Sequence, residues 1–247
     1  MPLRDSEAIV LRSFPLGEAD RIVSLFTRSM GRIRGVARGA RRTKSQFGST
    51  LQMLSHVRVW FYEREGRDLV RISQCELVES FLDVQKDYSA GLALALVCEV
   101  SEAVLPEHEP SDPAFRLILL TAHAVRETGK FALPLSYFLL WTVKLAGWLP
   151  DLERCAKCGK ALAAEPAYAA AATSGAMCAK CRKPGMVMLS AKTLAAAGRM
   201  LETRLDRLAG QPDAPLPGAD LDRYLLDVIE RQIERKLNTR RMLETAQ

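Results

Sequence analysis

The spacing of apolar residues changes once along the chain. Before residue 83 the apolar runs are short and rich in β-branched residues, at 7–14, 21–27, 31–40, 55–63 and 68–79, with turn residues between them. Five such runs predict five strands closed into a small barrel or paired as a sandwich. Residues 47–53, between the third and fourth runs, read as a short helix or a turn. After residue 83 the runs lengthen to helical size, at about 90–105, 113–127, 134–148, 191–208 and 219–237. Ser111 ahead of Pro113 and Ser190 ahead of AKTLAAAGRMLE are helix-cap candidates. The run 210–218 (GQPDAPLPG) breaks any helix and predicts a loop. No repeat of solenoid period is visible.

The helical half holds most of the apolar residues, so the larger core is expected there. The fold expected is α+β: a barrel domain over 1–82, then an α-helical domain over 83–247 that carries an insertion at about 151–186. The most membrane-like stretch, 131–149, is interrupted by Pro134, Lys144 and Gly147 and reads as a buried core helix. The opening MPLRDSEAIVLRS has acids and arginines where an export signal would need an apolar run, so a cytoplasmic protein is expected. No membrane partner is expected.

Charge sharpens the picture through its placement. The formal net charge is only +6, but no Asp or Glu occurs between Arg21 and Tyr62. Arg21, Arg28, Arg32, Arg34, Arg38, Arg41, Arg42, Lys44 and Arg58 all fall inside that block. Strand alternation would put Arg32, Arg34, Val36 and Arg38 on one face and Ile33, Gly35 and Ala37 on the other. In SHVRVWFYE it would put His56, Arg58, Trp60 and Tyr62 opposite Val57, Val59 and Phe61. The first set offers cations to phosphates and an aromatic plane to bases, the combination by which OB-type five-stranded barrels bind single strands. Trp60 can either stack on a base or pack beneath a second domain. Arg41, Arg42 and Lys44 carry the charge into a loop that can follow a backbone. No base-edge code is visible, so sequence-independent binding is expected.

The cysteines add a second site. Cys155-Ala-Lys-Cys158 and Cys178-Ala-Lys-Cys181 form two C-x2-C pairs at zinc spacing. Each pair presents two sulfurs to one point, and together they fill a tetrahedral shell of four thiolates. With no position left for water, one structural Zn2+ is expected rather than a catalytic one. A thioredoxin-like redox pair would need a βαβ context, which the pattern lacks. Cys75 and Cys98 sit in apolar runs and read as small core residues.

Catalysis finds no support in the residues. Metal-dependent nucleases need clustered carboxylates and P-loop motors need G-x4-G-K-[ST]; the basic half lacks acids where they would be required, and no such loop occurs. His56, His108 and His123 are scattered, and Glu107-His108-Glu109 lies between prolines in what reads as an exposed loop. No catalytic residue and no small-molecule substrate are therefore expected. An RNA-binding factor of translation or transcription fits the same physics, because a basic strand does not distinguish ribose from deoxyribose.

A resemblance decides between these. The stretch EAIVLRSFPLGEADRIVSLFTRSMGRIRGVARGARRTKSQFGSTLQ resembles the N-terminal domain of the bacterial RecO family of recombination mediators. The later helices, the four-cysteine knuckle and the closing KLNTRRMLE are similar to its C-terminal domain, so the resemblance covers nearly the whole chain. It implies an N-terminal OB-fold followed by a helical domain with a zinc finger, which some members lack. It implies binding of single- and double-stranded DNA, strand annealing, and work with RecR and the single-strand-binding protein SSB to place RecA on DNA. Such a protein would associate with the nucleoid when bound to DNA. Carried onto this chain, the DNA contacts implied are Arg32, Arg34, Arg38, Arg41, Arg42 and Lys44. The last helix is expected to end in Arg231, Arg235, Lys236, Arg240 and Arg241, cations suited to the acidic SSB tail.

Overall fold

The computed structural model describes residues 3–63, 66, 68–162, 165–173, 175–211, 214, 216 and 218–246. Five strands form first: β1 (Leu3–Leu16), β2 (Asp20–Thr27), β3 (Gly31–Ala37), β4 (His56–Tyr62) and β5 (Leu69–Glu79). They close into a barrel in the order β1-β2-β3-β5-β4, with only the β3–β5 pair parallel. The long β1 is shared. Its first half pairs with β4 and its second half with β2, and a register shift between Val10 and Arg12 bends it from one partner to the other.

Alternation decides what the barrel buries. Ala8, Val10, Val23, Leu25, Ile33, Val57, Val59, Phe61, Val70 and Ile72 point inward into one cluster. Phe47 and Leu51 join it from the segment between β3 and β4, which forms successive turns rather than a helix. The third strand stops at Ala37, short of the expected residue 40. Gly39 takes φ +70° there and its N–H is held by Asp20 at 2.8 Å. Gly35 faces the parallel neighbour. A Cβ on it would lie 2.8 Å from Ile72 and 2.9 Å from Val70, so the closing pair requires a residue without a side chain.

Two compact units result, Met1–Arg116 with Asn238–Gln247, and Leu117–Leu237. In the first, α1 (Tyr88–Val104) packs near β1, and α7 (Asn238–Ala246) packs on α1. Asp87 caps α1 by accepting from Ala90 N–H at 2.8 Å. Glu99 on α1 accepts from the N–H groups of Asn238 and Thr239 at 2.9 and 2.8 Å, satisfying the first turn of α7. Ser111 serves α2 (Asp112–Thr128) as expected, accepting from Ala114 N–H at 3.4 Å.

The second unit is built on α3 (Ala132–Leu145), in which Leu133, Leu135, Phe138, Leu139, Leu140 and Val143 are all buried. It ends in a Schellman turn: Gly147 takes φ +74° and donates to Lys144 O, while Trp148 N–H reaches back to Val143 O at 2.9 Å. No helix of the described residues is long and apolar enough to cross a membrane. Helices α4 (Ala191–Glu202), α5 (Leu205–Ala209) and α6 (Ala219–Gln232) follow. Ser190 caps α4 as expected, accepting from Thr193 N–H at 3.1 Å.

Two expected helices are each broken. The run 191–208 parts at Thr203 and Arg204, which are extended, into α4 and α5. The run 219–237 ends at Gln232; Glu234 takes φ +53° and the chain restarts as α7. The five terminal cations therefore do not share one helix. Arg231, Arg235 and Lys236 belong to the second unit and Arg240 and Arg241 to the first.

Gly31 offers a test of how the barrel is anchored. It takes φ +70°, and a Cβ would run into the backbone carbonyl of Glu109, whereas Gly17 at φ +59° faces open space. Both alanine substitutions pay the left-handed cost, about 1–2 kcal/mol. Gly31→Ala should cost about 1–3 kcal/mol more through overpacking. Urea midpoints of the two variants check this, and equal midpoints would remove the Glu109 contact from the account.

Candidate nucleic-acid interface and metal centre

Arg21 donates to Ser13 and Arg28 is paired with Glu7 and Asp112; the other seven cations of the acid-free block fall into three groups once the barrel is closed. On the outer face of β3, Arg32 is the least accessible, with a side chain 11% exposed. Its Nη1 lies 3.0 Å from Glu107 and its Nε donates to Leu105 O at 2.9 Å. The Glu107-His108-Glu109 loop is thus strapped to the edge of β3, and His108 N–H bonds to Arg32 O. Arg34 shares Glu107 at a longer 3.6 Å and remains exposed.

Arg38, Arg41, Arg42 and Lys44 lie just beyond β3, all exposed. Arg41 is anchored: its N–H bonds to Ala19 O and its Nη1 donates to Gly17 O at 2.7 Å, fixing the turn to the β1–β2 connection. Arg38, Arg42 and Lys44 have no carboxylate partner among the described residues. One cation joins this face from outside the block. Arg71 on β5 is exposed and lies across from Val36 in the parallel β3–β5 register. Periodicity shows that Arg71 points outward; only barrel closure sets it beside β3.

Arg58 and Trp60 form the third group, on β4. Both point outward as alternation requires, and Trp60 is half-buried and outside the barrel core cluster. The Arg58 guanidinium sits 5.5 Å from the Trp60 ring centroid. Its charge is largely met locally: it bonds to Asp5 at 2.7 and 3.0 Å and lies across from Glu7 on β1 and Glu76 on β5. Those carboxylates flank the acid-free block in sequence but face it in the barrel. The β4 face is an arginine–indole stack in a mixed field, and the β3 side is the cationic one.

The four cysteines come together in the second unit. Cys155, Cys158, Cys178 and Cys181 place their sulfurs within 4.8 Å of one another. Each pair sits on a tight turn. In the first, Gly159 takes φ +72° and donates to Cys155 O while Cys155 N–H bonds to Lys160 O. In the second, Cys181 and Arg182 N–H both return to Cys178 O. The turns are joined by Ala156 N–H to Ala176 O, and by a short antiparallel pair, β6 (Ala167–Ala169) with β7 (Val187–Leu189). Leu162, Ala167, Ala176 and Met177 bury the small space beneath.

The geometry fits a tetrahedral ion. A metal–sulfur bond of about 2.3 Å demands sulfurs about 3.8 Å apart, and Cys158 and Cys178 stand at 3.8 Å. Peptide N–H groups of Cys178 and then Cys158 pull the Cys155 thiol down to about 6. Desolvation and then the neighbouring sulfurs push Cys181 up to about 12. Four thiols this close cannot all ionise unless a cation sits among them. Cys75 and Cys98 lie elsewhere, buried in apolar surroundings that raise them to about 11 and about 12.

Thiol reactivity separates the two kinds of cysteine. A thiol locked in an apolar core is protonated at pH 8 and out of reach of a disulfide reagent, whereas the cysteines of the metal turns would be held in place by the ion and open to solvent when it is removed. Cys75 and Cys98 should therefore stay silent in the native protein, while a chelator exposes four reactive thiols; six appear only after unfolding. Titration with a chromogenic disulfide, with and without chelator, counts them. Four reactive thiols without chelator in metal-replete protein would mean that no ion is held.

Comparison with known proteins agrees with this architecture. The family model described as Recombination protein O N terminal matches residues 1–81, and that described as Recombination protein O C terminal matches residues 85–241. The DNA repair protein RecO of Koribacter versatilis (strain Ellin345) is 40% identical over 242 residues, 98% of each chain. That of Anaeromyxobacter sp. (strain K) is 31% identical over 238 residues, 96% of this chain and 94% of the relative. That of Streptomyces avermitilis is 38% identical over 210 residues, 81% of this chain and 83% of the relative. A five-stranded barrel followed by helices, four clustered cysteines and matches over nearly the whole length lead to one conclusion: the chain belongs to the RecO family of DNA repair proteins.

Proposed function

We propose that this chain is a non-catalytic recombination mediator. It binds single- and double-stranded DNA with little regard to sequence, anneals complementary strands and, with RecR, helps place RecA on SSB-coated DNA in the cytoplasm, at the nucleoid. The observation that carries the DNA reading is the set of exposed cations Arg38, Arg42 and Lys44, free of carboxylates and continuous with Arg34, Arg41 and Arg71 on one side of a closed barrel. Long cations in a row match a phosphate backbone and carry no base-edge code. Arg32 acts here as a strap that positions β3 and the Glu107 loop. Arg58 and Trp60 supply a stacking plane for an unpaired base.

Zn2+ is the ion the four thiolates suit best, since it accepts a closed tetrahedral sulfur shell without redox chemistry. Held by Cys155, Cys158, Cys178 and Cys181, it would supply local folding energy, about 10–16 kcal/mol by the scale of zinc-finger peptides. Cys178→Ser should lower the zinc content and loosen residues 151–185, while DNA binding by the barrel persists. Elemental analysis of the metal-replete variant measures the first, and full zinc retention would contradict the assignment.

Salt dependence tests the main reading. Each phosphate contact releases counterions, giving a slope of log K against log salt of about −0.7 per contact on single strands. Arg38→Ala with Arg42→Ala should flatten the slope by about 1.4 and weaken unrelated sequences alike. Arg58→Ala should leave the slope nearly unchanged, because Asp5 already meets its charge. Trp60→Ala should cost about 1–3 kcal/mol of single-strand affinity, again at constant slope. An unchanged slope in a folded Arg38/Arg42 double variant would move the phosphates off this face.

A further inference from the structure

The metal module carries its own excess of positive charge. Over residues 151–185 stand Arg154, Lys157, Lys160, Lys180, Arg182 and Lys183, six cations against Asp151, Glu153 and Glu165. Lys157 and Lys180 occupy matching places inside the two Cys-Ala-Lys-Cys turns, where a short loop projects the residue between its sulfurs outward. All six cations are exposed. Lys160 is taken by Glu165 at 2.7 Å. Arg154, Lys157, Lys180 and Lys183 have no carboxylate partner among the described residues.

Part of this charge answers the metal itself. A divalent ion in four thiolates carries formally two negative charges, and the sulfurs of Cys158 and Cys178 do help hold Lys160 protonated, after Glu165. Two cations would balance that centre. That leaves a small net excess, but its placement matters more: Lys157, Lys180 and Lys183 are exposed with no carboxylate partner among the described residues.

Beside these cations lies an aromatic plane. Tyr168 on β6 and Met188 on β7 are directly opposed, on the face away from the buried Ala167, Ala169 and Leu189. The Arg182 guanidinium lies 5.1 Å from the Tyr168 ring centroid, and its Nη1 reaches Tyr168 Oη at 3.3 Å. Met188 is 52% exposed, unusual for so apolar a residue on a charged module. Cations for phosphates around a half-open ring for a base are what a single strand needs. The module's described residues form no helix to enter a major groove, and a half-open ring suits an unpaired base.

We propose that the metal module is a second contact for single-stranded nucleic acid, separate from the barrel. Lys157, Lys180 and Lys183 meet the backbone, and Tyr168, braced by Arg182, stacks on a base. This rests on the nucleic-acid reading above but not on the barrel surface being the site. Each compact unit then has its own grip on a strand.

The test uses the full metal-replete chain and a fluorescein-labelled oligothymidylate. The triple variant Lys157→Gln, Lys180→Gln, Lys183→Gln touches no metal ligand, and elemental analysis should find its metal content unchanged. Its salt slope should flatten by about 2. Tyr168→Ala should weaken binding roughly tenfold at constant slope, and Tyr168→Phe should restore it. Ultraviolet cross-linking should label the peptide that contains Tyr168. Wild-type slope and affinity in a triple variant that keeps its metal would overturn the proposal. The outcome is distinct from failure of the barrel reading, in which Arg38→Ala with Arg42→Ala leaves the slope intact while the lysine variant still flattens it.

Discussion

Closing five strands into a barrel requires one pair to run parallel, and here β3 meets β5 across Gly35, where Ile72 and Val70 leave no room for a Cβ. That close approach fixes the register of both strands, and a shift of one residue would turn every side chain to the other face. Arg34 and Val36 point outward because Ile33, Gly35 and Ala37 must point in. Arg71 reaches the same face only through this pairing. The cationic surface is therefore a consequence of how the barrel shuts, and the core cluster of Val10, Leu25, Ile33, Val59, Phe61 and Ile72 supplies the free energy that holds it shut.

The metal module depends on a different source of stability. Its apolar cluster is small, built on Leu162, Met177 and a few alanines, and its strands β6 and β7 are three residues each. A two-stranded ribbon of that length is marginal in water. Four thiolates around one ion would tie the two turns together where burial cannot, leaving the loop sequence free to be Ala-rich above and lysine-rich around the sulfurs. That freedom leaves room for exposed charge that a domain relying on its hydrophobic core alone would accommodate less easily.

The distribution of ion pairs separates structural cations from available ones. Arg32 and Arg58 have carboxylates within 3.0 Å and 2.7 Å, and each joins two parts of the first unit: a loop to β3, and β1 to β4. Replacing either removes a tie as well as a charge. Arg38, Arg42, Lys44, Lys157, Lys180 and Lys183 have no carboxylate partner among the described residues, and in the proposed function they would keep their counterions until a polyanion displaces them. Exposed pairs contribute little to stability in any case. In the proposed function the weight of binding falls on the cations left without a carboxylate.

Much of this was legible in the residues. The five β-branched runs, the alternation in GRIRGVA and HVRVWFY, the caps at Ser111 and Ser190 and the four-cysteine spacing each depend on local geometry, which a sequence encodes directly. Trp60 shows where that stops: period two places it outside the core, but the Asp5 and Glu7 that face it and Arg58 come from a strand some fifty residues earlier. The breaks at Thr203 and Glu234 were also hidden, because neither residue is a helix breaker and helical periodicity runs through both. Barrel closure decided that Arg71 joins the β3 face and that Asp5 neutralises Arg58, and the docking of the loop after α1 decided that Glu107 consumes Arg32. Local pattern fixes which way a side chain points; which charge it meets depends on contacts between strands and loops far apart in the chain, and only the folded structure brings those together.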